Sequence, residues 1–138
     1  MSDERKKVLF LCTGNSCRSQ MAEGWANYLR SKDLIGFSAG VAPHKINERA
    51  VAVMKEAGVD ISSHIPQHTD DFSGLEFDLV VTVCDNAKEL CPVYPGSCTV
   101  IHNKFDDPSE IIATEEVTMG EFRRVRDEIR DFIKNLEI

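Results

Sequence analysis

Two residues near the start of the chain have the types and the spacing that nucleophilic chemistry on an oxyanion needs. Arg18 follows Cys12 by six positions, and Ser19 comes next. A cysteine thiolate is the nucleophile of thiol chemistry, and a guanidinium offers a planar fork that matches two oxygens of a tetrahedral oxyanion. A guanidinium and a helix N-terminus also lower a thiol pKa below its free value of about 8.5. The pattern therefore predicts a catalytic thiolate; the alternative is a structural cysteine beside an arginine in a surface ion pair.

The sequence around this pair predicts a strand, a tight loop and the first turn of a helix. Residues 8–11 are four apolar residues in succession, typical of a strand buried on both faces. After Gln20 the apolar residues take helical spacing: Met21, Ala22, Trp25 and Leu29. Gly14 and Asn15 allow the loop to turn its N–H groups inward, and such groups beside a helix N-terminus bind anions. We therefore expect oxyanion binding by the whole loop: Thr13, Gly14, Asn15, Ser16, Cys17, Arg18 and Ser19.

The length, net charge and apolar runs of the sequence limit the class of protein to which the chain can belong. A chain of 138 residues forms one domain, residues 1–138, large enough for its own core. A net charge of −7 argues against nucleic acid or membranes as partners, so an anion site must be built locally. The apolar run at residues 8–11 is too short for a signal peptide or a membrane span, which predicts a cytoplasmic protein. We also expect a monomer.

The cysteine content points to reactive thiols. Five cysteines, an odd number, argue against a framework of structural disulfides in a reducing compartment. Their spacing does not match the paired Cys-x-x-Cys motifs of structural zinc, so no metal site is predicted. Catalytic or redox-active cysteines are the roles that remain.

Strand and helix patterns alternate along the chain. After the first strand, further strands are predicted at residues 35–41, 77–83 and 99–102. The first helix is predicted at residues 19–32, a second between an N-cap at Asn47 and a stop at Gly58, and the last after a capping box of Thr118 and Glu121. This alternation predicts an α/β fold, a four-stranded parallel sheet flanked by helices on both faces.

The strand order places the candidate residues at one edge of the sheet. Cys12 and Cys84 each follow a buried strand, and Asp107 lies in the loop after the fourth strand. In open α/β sheets the ligand site lies beyond the carboxyl ends of the strands. We therefore expect these three side chains to meet at that edge.

Cys84 and Cys91 form a second candidate pair. In a helix their Cα atoms would be about 10 Å apart, whereas a disulfide requires about 4.4–6.8 Å. The segment between them is short and polar and is followed by Pro92, so its helical form is only marginally stable. The spacing therefore fits a redox switch, helical when reduced and looped out when the thiols are joined. Two unrelated core cysteines fit it as well.

The run from Cys12 to Gly24, CTGNSCRSQMAEG, resembles the phosphate-loop signature of the low-molecular-weight tyrosine phosphatase superfamily. Within that superfamily it is most similar to the thioredoxin-coupled arsenate reductases, and the similarity extends from Val8 to about Leu136. Residues 80–84 and 91–93 are similar to the resolving-thiol segment of those reductases. The resemblance implies a low-molecular-weight tyrosine phosphatase-like fold, arsenate as substrate, thioredoxin as external electron donor and no cofactor.

The resemblance also implies a relay of thiols. Cys12 attacks arsenate held by the loop and Arg18, and Asp107 protonates the oxygen that leaves as water. Cys84 then attacks Cys12 and releases arsenite, Cys91 attacks Cys84, and thioredoxin reduces the Cys84–Cys91 disulfide. Exchange of this kind requires thiolates within reach of an accessible sulfur.

Three further residues, Asp106, Cys17 and Cys98, are interpreted as taking no part in the relay. Asp106 is the rival of Asp107, but Asp107-Pro108 matches the superfamily position. Cys17 is interpreted as structural, and Cys98 has no assigned chemistry.

A potassium site near the loop is common among the similar reductases. Asn15, Glu23 and Ser38 supply part of such a site in this chain. The additional acidic ligand expected after the second helix is missing, because residues 65–67 are Ile-Pro-Gln, so the resemblance leaves potassium dependence open. His64 and His68 flank this irregular segment and are interpreted as solvated loop residues.

Two other functions fit parts of the sequence. A tyrosine phosphatase would use Cys12, Arg18 and Asp107 equally well, but such enzymes usually have aromatic residues after the Asp-Pro pair, where this chain has Ser109-Glu110-Ile111. A thiol-based sensor of arsenite or a soft metal is the second alternative, and the acidic charge argues against its binding DNA. The sequence leaves the electron donor open between thioredoxin and glutaredoxin or mycothiol systems.

Overall fold

The computed structural model describes residues 5–12, 14, 17–40, 42–43, 45–72, 75–83, 99–110 and 112–137. Its strands are β1 (Lys6–Leu11), β2 (Leu34–Ala39), β3 (Leu79–Thr82) and β4 (Thr99–His102). They form one parallel sheet in the order β2-β1-β3-β4. The predicted α/β fold with a four-stranded parallel sheet is confirmed.

Three α-helices are present in the described part of the chain: α1 (Arg18–Leu29), α2 (Glu48–Glu56) and α3 (Glu115–Lys134). α1 packs against β1 and β2, and the three helices pack against one another. The indole N–H of Trp25 in α1 donates to the carbonyl of Arg126 in α3 at 3.1 Å. Among the described residues, no helix has the length and apolarity that crossing a membrane requires.

The strand register brings the carboxyl ends of the strands to one level. Leu11 pairs with Ala39 on β2 and with Thr82 on β3, and Thr82 pairs with His102 on β4. These residues are the last of their strands. The residues that directly follow the four strands therefore lie at the same edge of the sheet, the edge formed by the carboxyl ends of the strands.

The second helix begins and ends as predicted. Asn47 Oδ1 accepts hydrogen bonds from the amides of Arg49 at 2.9 Å and Ala50 at 3.1 Å, which are orphan donors of the first turn. Gly58 has φ of 89°, a left-handed conformation that a side chain disfavours, and its N–H donates to Lys55 O at 3.0 Å. Both signals are local, which is why the sequence reveals them.

The capping box predicted at Thr118 and Glu121 is wrong. The N-cap of α3 is Thr114, whose hydroxyl accepts from the amide of Val117 at 3.3 Å. Thr118 already lies inside the helix, where its side chain is buried and its N–H donates to Thr114 O at 2.9 Å. The buried face of α3 begins at Thr118, so one further turn of helix precedes the position that the motif indicated.

α1 ends at Leu29, earlier than the predicted helix at residues 19–32. β2 begins and ends slightly before the predicted residues 35–41, and β3 is shorter than the predicted residues 77–83. Arg30 follows α1 as its C-cap residue. Its guanidinium donates to the carbonyls of Ile133 and Leu136 near the end of α3, each at 2.9 Å. A contact between residues so distant in sequence leaves no local signal.

The close packing of α1 yields a prediction on stability. A Cβ added at Gly24 would lie 2.7 Å from Cγ2 of Ile61 and 3.2 Å from Cε of Met54, both fully buried. Although alanine favours a helix, overpacking dominates, and Gly24→Ala should lower the free energy of unfolding by about 1–2 kcal/mol. Thermal unfolding followed by circular dichroism should show a fall in Tm of roughly 3–8 °C.

Gly120 in α3 provides the matched control, because a Cβ there meets no atom within 4 Å. Gly120→Ala should raise the free energy of unfolding by about 0.5–1 kcal/mol through helix propensity alone. Equal changes in Tm for the two variants would contradict the packing argument.

Candidate active site

Cys12 lies directly beyond the end of β1. Its N–H donates to the carbonyl of Ala39 at 3.2 Å, and the amide of Val83 donates to Leu11 O at 2.9 Å, so strands on both sides hold this position. The residue is largely buried, at 6% exposure. The thiol therefore starts from a rigid point at the carboxyl edge of the sheet, where the sequence predicted it.

The N-terminus of α1 lacks the capping groups that the other two described helices have. α2 and α3 begin with a capping side chain and acidic residues in the first turn. α1 follows Cys17, which gives no side-chain cap hydrogen bond, and its first turn has no acidic residue. The positive end of the dipole of α1 thus has no acidic side chain in its first turn, an arrangement that suits an external anion.

Arg18 joins the start of α1 to the segment after β4. Its side chain is only 12% exposed. One terminal nitrogen donates to the carbonyl of Phe105 at 3.0 Å, and the other to Oδ2 of Asp107 at 3.3 Å. The buried Nε has no hydrogen-bond acceptor among the described residues. A buried N–H without an acceptor is costly, and an oxyanion at this position would satisfy it.

The segment after β4 presents Asp107, and not Asp106, to Arg18. Phe105 is buried and packs edge-to-face on Phe132 of α3, with ring centroids 5.7 Å apart. Asp106 therefore points outward and pairs with Arg124 at 3.1 Å, where both side chains are substantially exposed. The geometry thus favours Asp107 as the candidate acid.

Cys17 is a thiol of a different kind. It is 5% exposed, and burial, followed by the negative charge of Asp107, raises its pKa to about 12, although Arg18 acts in the opposite direction. At neutral pH it is almost entirely protonated and so a poor nucleophile. This environment agrees with a structural interpretation of its side chain.

His64 is not the solvated loop residue that the sequence suggested. Its Nδ1 lies 3.0 Å from Oε2 of Glu23 and 3.0 Å from the side-chain oxygen of Gln20, and its side chain is 21% exposed. The prediction of a solvated side chain is wrong for His64, because its ring contacts two side chains of α1. His68, in contrast, is 41% exposed.

Glu23 is the residue that a potassium site would share with Ser38. Its Oε1 accepts from the Ser38 hydroxyl at 3.0 Å, and its Oε2 faces His64. Burial raises the pKa of the Glu23 carboxyl, while His64 and Ser38 oppose the shift. Both carboxylate oxygens of Glu23 thus have protein partners among the described residues.

Other predicted site residues lie outside the described residues. They are Thr13, Asn15, Ser16, Cys84 and Cys91; Cys98, which has no assigned chemistry, lies outside them as well. The described part brings Arg18 and Asp107 together at the edge where Cys12 emerges. Sequence reasoning missed Ser109, whose amide and hydroxyl contact Asp107; the Asp-x-Ser spacing, typical of turns closed by an aspartate side chain, was the available signal.

The fold and this site define a known class of protein. The profile of the Low molecular weight phosphotyrosine protein phosphatase family matches residues 7–137, and the chain belongs to this family. Within it, the chain is 46% identical over 131 residues to an arsenate reductase of Bacillus subtilis strain 168, covering 95% of this chain and 94% of the relative.

Solved structures show the same similarity. An arsenate reductase in its oxidized state matches with a TM-score of 0.78 and 30% identity, covering 95% of each chain. Another in the reduced state matches with a TM-score of 0.72 and 30% identity, covering 94% of this chain and 95% of that one. The resemblance predicted from residues 12–24, to this superfamily and to its arsenate reductases, is confirmed.

Proposed function

We propose that this protein reduces arsenate to arsenite through a covalent adduct on Cys12. The observation that carries the proposal is the buried Nε of Arg18, which lacks an acceptor among the described residues and lies at the N-terminus of α1, whose first turn has no acidic residue. These donors suit a tetrahedral oxyanion, and Cys12 emerges at the same edge. The arsenate reductases among its relatives support arsenate as that oxyanion.

The first step is displacement at arsenic. The Cys12 thiolate forms a bond to arsenic while one arsenic–oxygen bond breaks, and Asp107 gives the departing oxygen a proton so that it leaves as water. Arg18 and the N–H groups at the start of α1 stabilise the charge on the remaining oxygens. The product is a sulfur–arsenic adduct with arsenic still in its oxidized state.

The second step transfers two electrons. The Cys84 thiolate attacks the Cys12 sulfur, a sulfur–sulfur bond forms, and the electron pair of the sulfur–arsenic bond remains on arsenic, which departs as arsenite. Cys91 then attacks Cys84, which frees Cys12 and leaves a Cys84–Cys91 disulfide. A dithiol donor reduces that disulfide by the same exchange chemistry, and we propose thioredoxin as this donor.

The relay is supported by the presence of Cys12, Cys84 and Cys91 and by the resemblance of residues 80–84 and 91–93 to the resolving-thiol segment of the thioredoxin-coupled reductases. The two solved arsenate reductases, one in its oxidized state and one in its reduced state, support a redox reaction within the family. No cofactor is needed, because the cysteines and the external dithiol account for every electron. A cytoplasmic location and a monomeric state stay predictions.

Coupled turnover tests this proposal. Reduced protein, thioredoxin, thioredoxin reductase and NADPH should consume NADPH when arsenate is added, and glutaredoxin with glutathione should not replace the donor. Cys84→Ser and Cys91→Ser should each abolish multiple turnover, since either change interrupts the relay. Cys91→Ser should accumulate a Cys12–Cys84 disulfide, visible by mass spectrometry of digested protein. Sustained turnover by Cys84→Ser would contradict the relay.

Family membership makes phosphoester hydrolysis the alternative function. Arg18 and Asp107 would serve a phosphoester in the same geometry, but hydrolysis has no use for Cys84 and Cys91, and Ser109 follows Pro108 where an aromatic side chain would stack on phosphotyrosine. We expect slow hydrolysis of p-nitrophenyl phosphate. Rapid hydrolysis, together with arsenate turnover that does not need Cys84, would favour the phosphatase.

A further inference from the structure

The two carboxylate oxygens of Asp107 have different surroundings. Oδ1 accepts two hydrogen bonds from Ser109, one from its amide at 3.0 Å and one from its hydroxyl at 2.6 Å. Oδ2 faces the terminal nitrogen of Arg18 at 3.3 Å. An oxygen that already accepts from two donors is a poor place for a proton, because a protonated oxygen must itself donate. Oδ2 accepts from one donor among the described residues, so it is the oxygen with a lone pair left for a proton.

We propose that Ser109 is a positioning residue for the acid step. Its hydroxyl and amide fix the rotation of the Asp107 carboxyl group, so that Oδ2 is the oxygen that meets the departing oxygen of the substrate. This inference rests on the proposed function, in which Asp107 protonates that oxygen. Preorganised geometry of this kind contributes to the rate because the acid need not search for its orientation during the reaction.

The surrounding contacts make Ser109 suitable for such a role. Pro108 is buried, and the amide of Glu110 donates to Asp107 O at 3.3 Å, closing a short turn at Pro108–Glu110. Phe105, packed on Phe132, holds the start of the same segment. Ser109 itself is exposed, so removal of its hydroxyl leaves no cavity in the core. A variant at Ser109 therefore reports on the Asp107 carboxyl rather than on folding.

The chain offers a matched control at Asp60 and Ser62. The amide of Ser62 donates to Asp60 Oδ1 at 2.9 Å, and the hydrogen bond from the Ser62 side chain is the main cause that lowers the pKa of the Asp60 carboxyl. The Asp-x-Ser turn is the same, but Asp60 is fully exposed and is not part of the proposed site. Ser62→Ala removes the equivalent hydroxyl without affecting Asp107.

The experiment measures arsenite formed in a single turnover by fully reduced protein, without thioredoxin. Ser109→Ala should lower the maximal rate about tenfold, with the arsenate concentration at half-maximal rate changed less than about twofold. Ser109→Thr, which keeps a hydroxyl, should restore the rate to within about threefold of wild type, and Ser62→Ala should match wild type. In an Asp107→Asn background, Ser109→Ala should cause no further loss, because the two residues act through one proton.

Two results would overturn the proposal. One is a Ser109→Ala rate within about twofold of wild type, and the other is the same loss in the Asp107→Asn background as in wild type. If wild-type protein forms no arsenite, the proposed function fails separately. The same variants are then compared in p-nitrophenyl phosphate hydrolysis, where Ser109→Ala should again be slower than Ser62→Ala. Equal rates, or no activity in either assay, would reject the role of Ser109.

Discussion

A Cys12→Ser protein forms no adduct with arsenate and no arsenite, even in a single turnover. The hydroxyl is a far weaker nucleophile than a thiolate at neutral pH, and its oxygen cannot enter thiol–disulfide exchange. We expect the rate to fall by at least about 10⁴-fold, the scale seen when an enzyme loses its nucleophile. Rapid-quench measurement of arsenite and mass spectrometry of the intact protein check both statements.

Binding and folding should survive this change. Because we propose that Arg18 and the N–H groups of the loop bind the anion, Cys12→Ser should still bind phosphate or sulfate in calorimetry. Cys98→Ser is the matched control and should retain the full rate. At pH 7 alkylation should spare Cys17, because a pKa of about 12 leaves only about one thiol in 10⁵ ionised. Arsenite production by Cys12→Ser would disprove the role of Cys12.

An Arg18→Lys protein loses both oxyanion affinity and rate. The guanidinium of Arg18 contacts Phe105 O and Asp107 and still has a buried Nε–H available for an oxyanion. A lysine ammonium is a single point charge and cannot bridge all three positions. We expect kcat/KM for arsenate to fall by about 10²–10⁴-fold, since both ground-state binding and transition-state charge stabilisation are lost. Steady-state kinetics and calorimetry with phosphate measure the two effects.

Arg30 provides the matched control for this substitution. Its guanidinium also bridges backbone carbonyls and an aspartate, in this case Ile133 O, Leu136 O and Asp33, but it lies between the ends of α1 and α3 rather than at the candidate site. Arg30→Lys should lower the Tm and leave kcat/KM for arsenate unchanged. A normal KM and kcat for Arg18→Lys, or an equal loss for Arg30→Lys, would contradict the proposed role of Arg18.

The sequence alone determined the elements whose signals are local. The apolar run at residues 8–11 and the helical spacing after Gln20 fix a strand–loop–helix unit, and Cys12 and Arg18 lie at its two junctions. Asn47 and Gly58 mark the ends of α2 because capping and positive φ depend on a few neighbouring residues. Alternation of strands and helices then limits the sheet to a parallel arrangement, which brings the ends of the strands to one edge.

Only the tertiary structure decided which side chains face each other at that edge. Packing of Phe105 on Phe132 directs Asp106 to solvent and Asp107 to Arg18, a partner 89 positions away in the chain. His64 is half-buried against Glu23 of α1, where the sequence suggested a solvated loop residue. Loop side chains take their direction from contacts with distant elements, so no pattern within the loop can encode them. Local sequence placed the thiol, the arginine and the Asp-x-Ser turn, and long-range packing turned Asp107 rather than Asp106 towards Arg18.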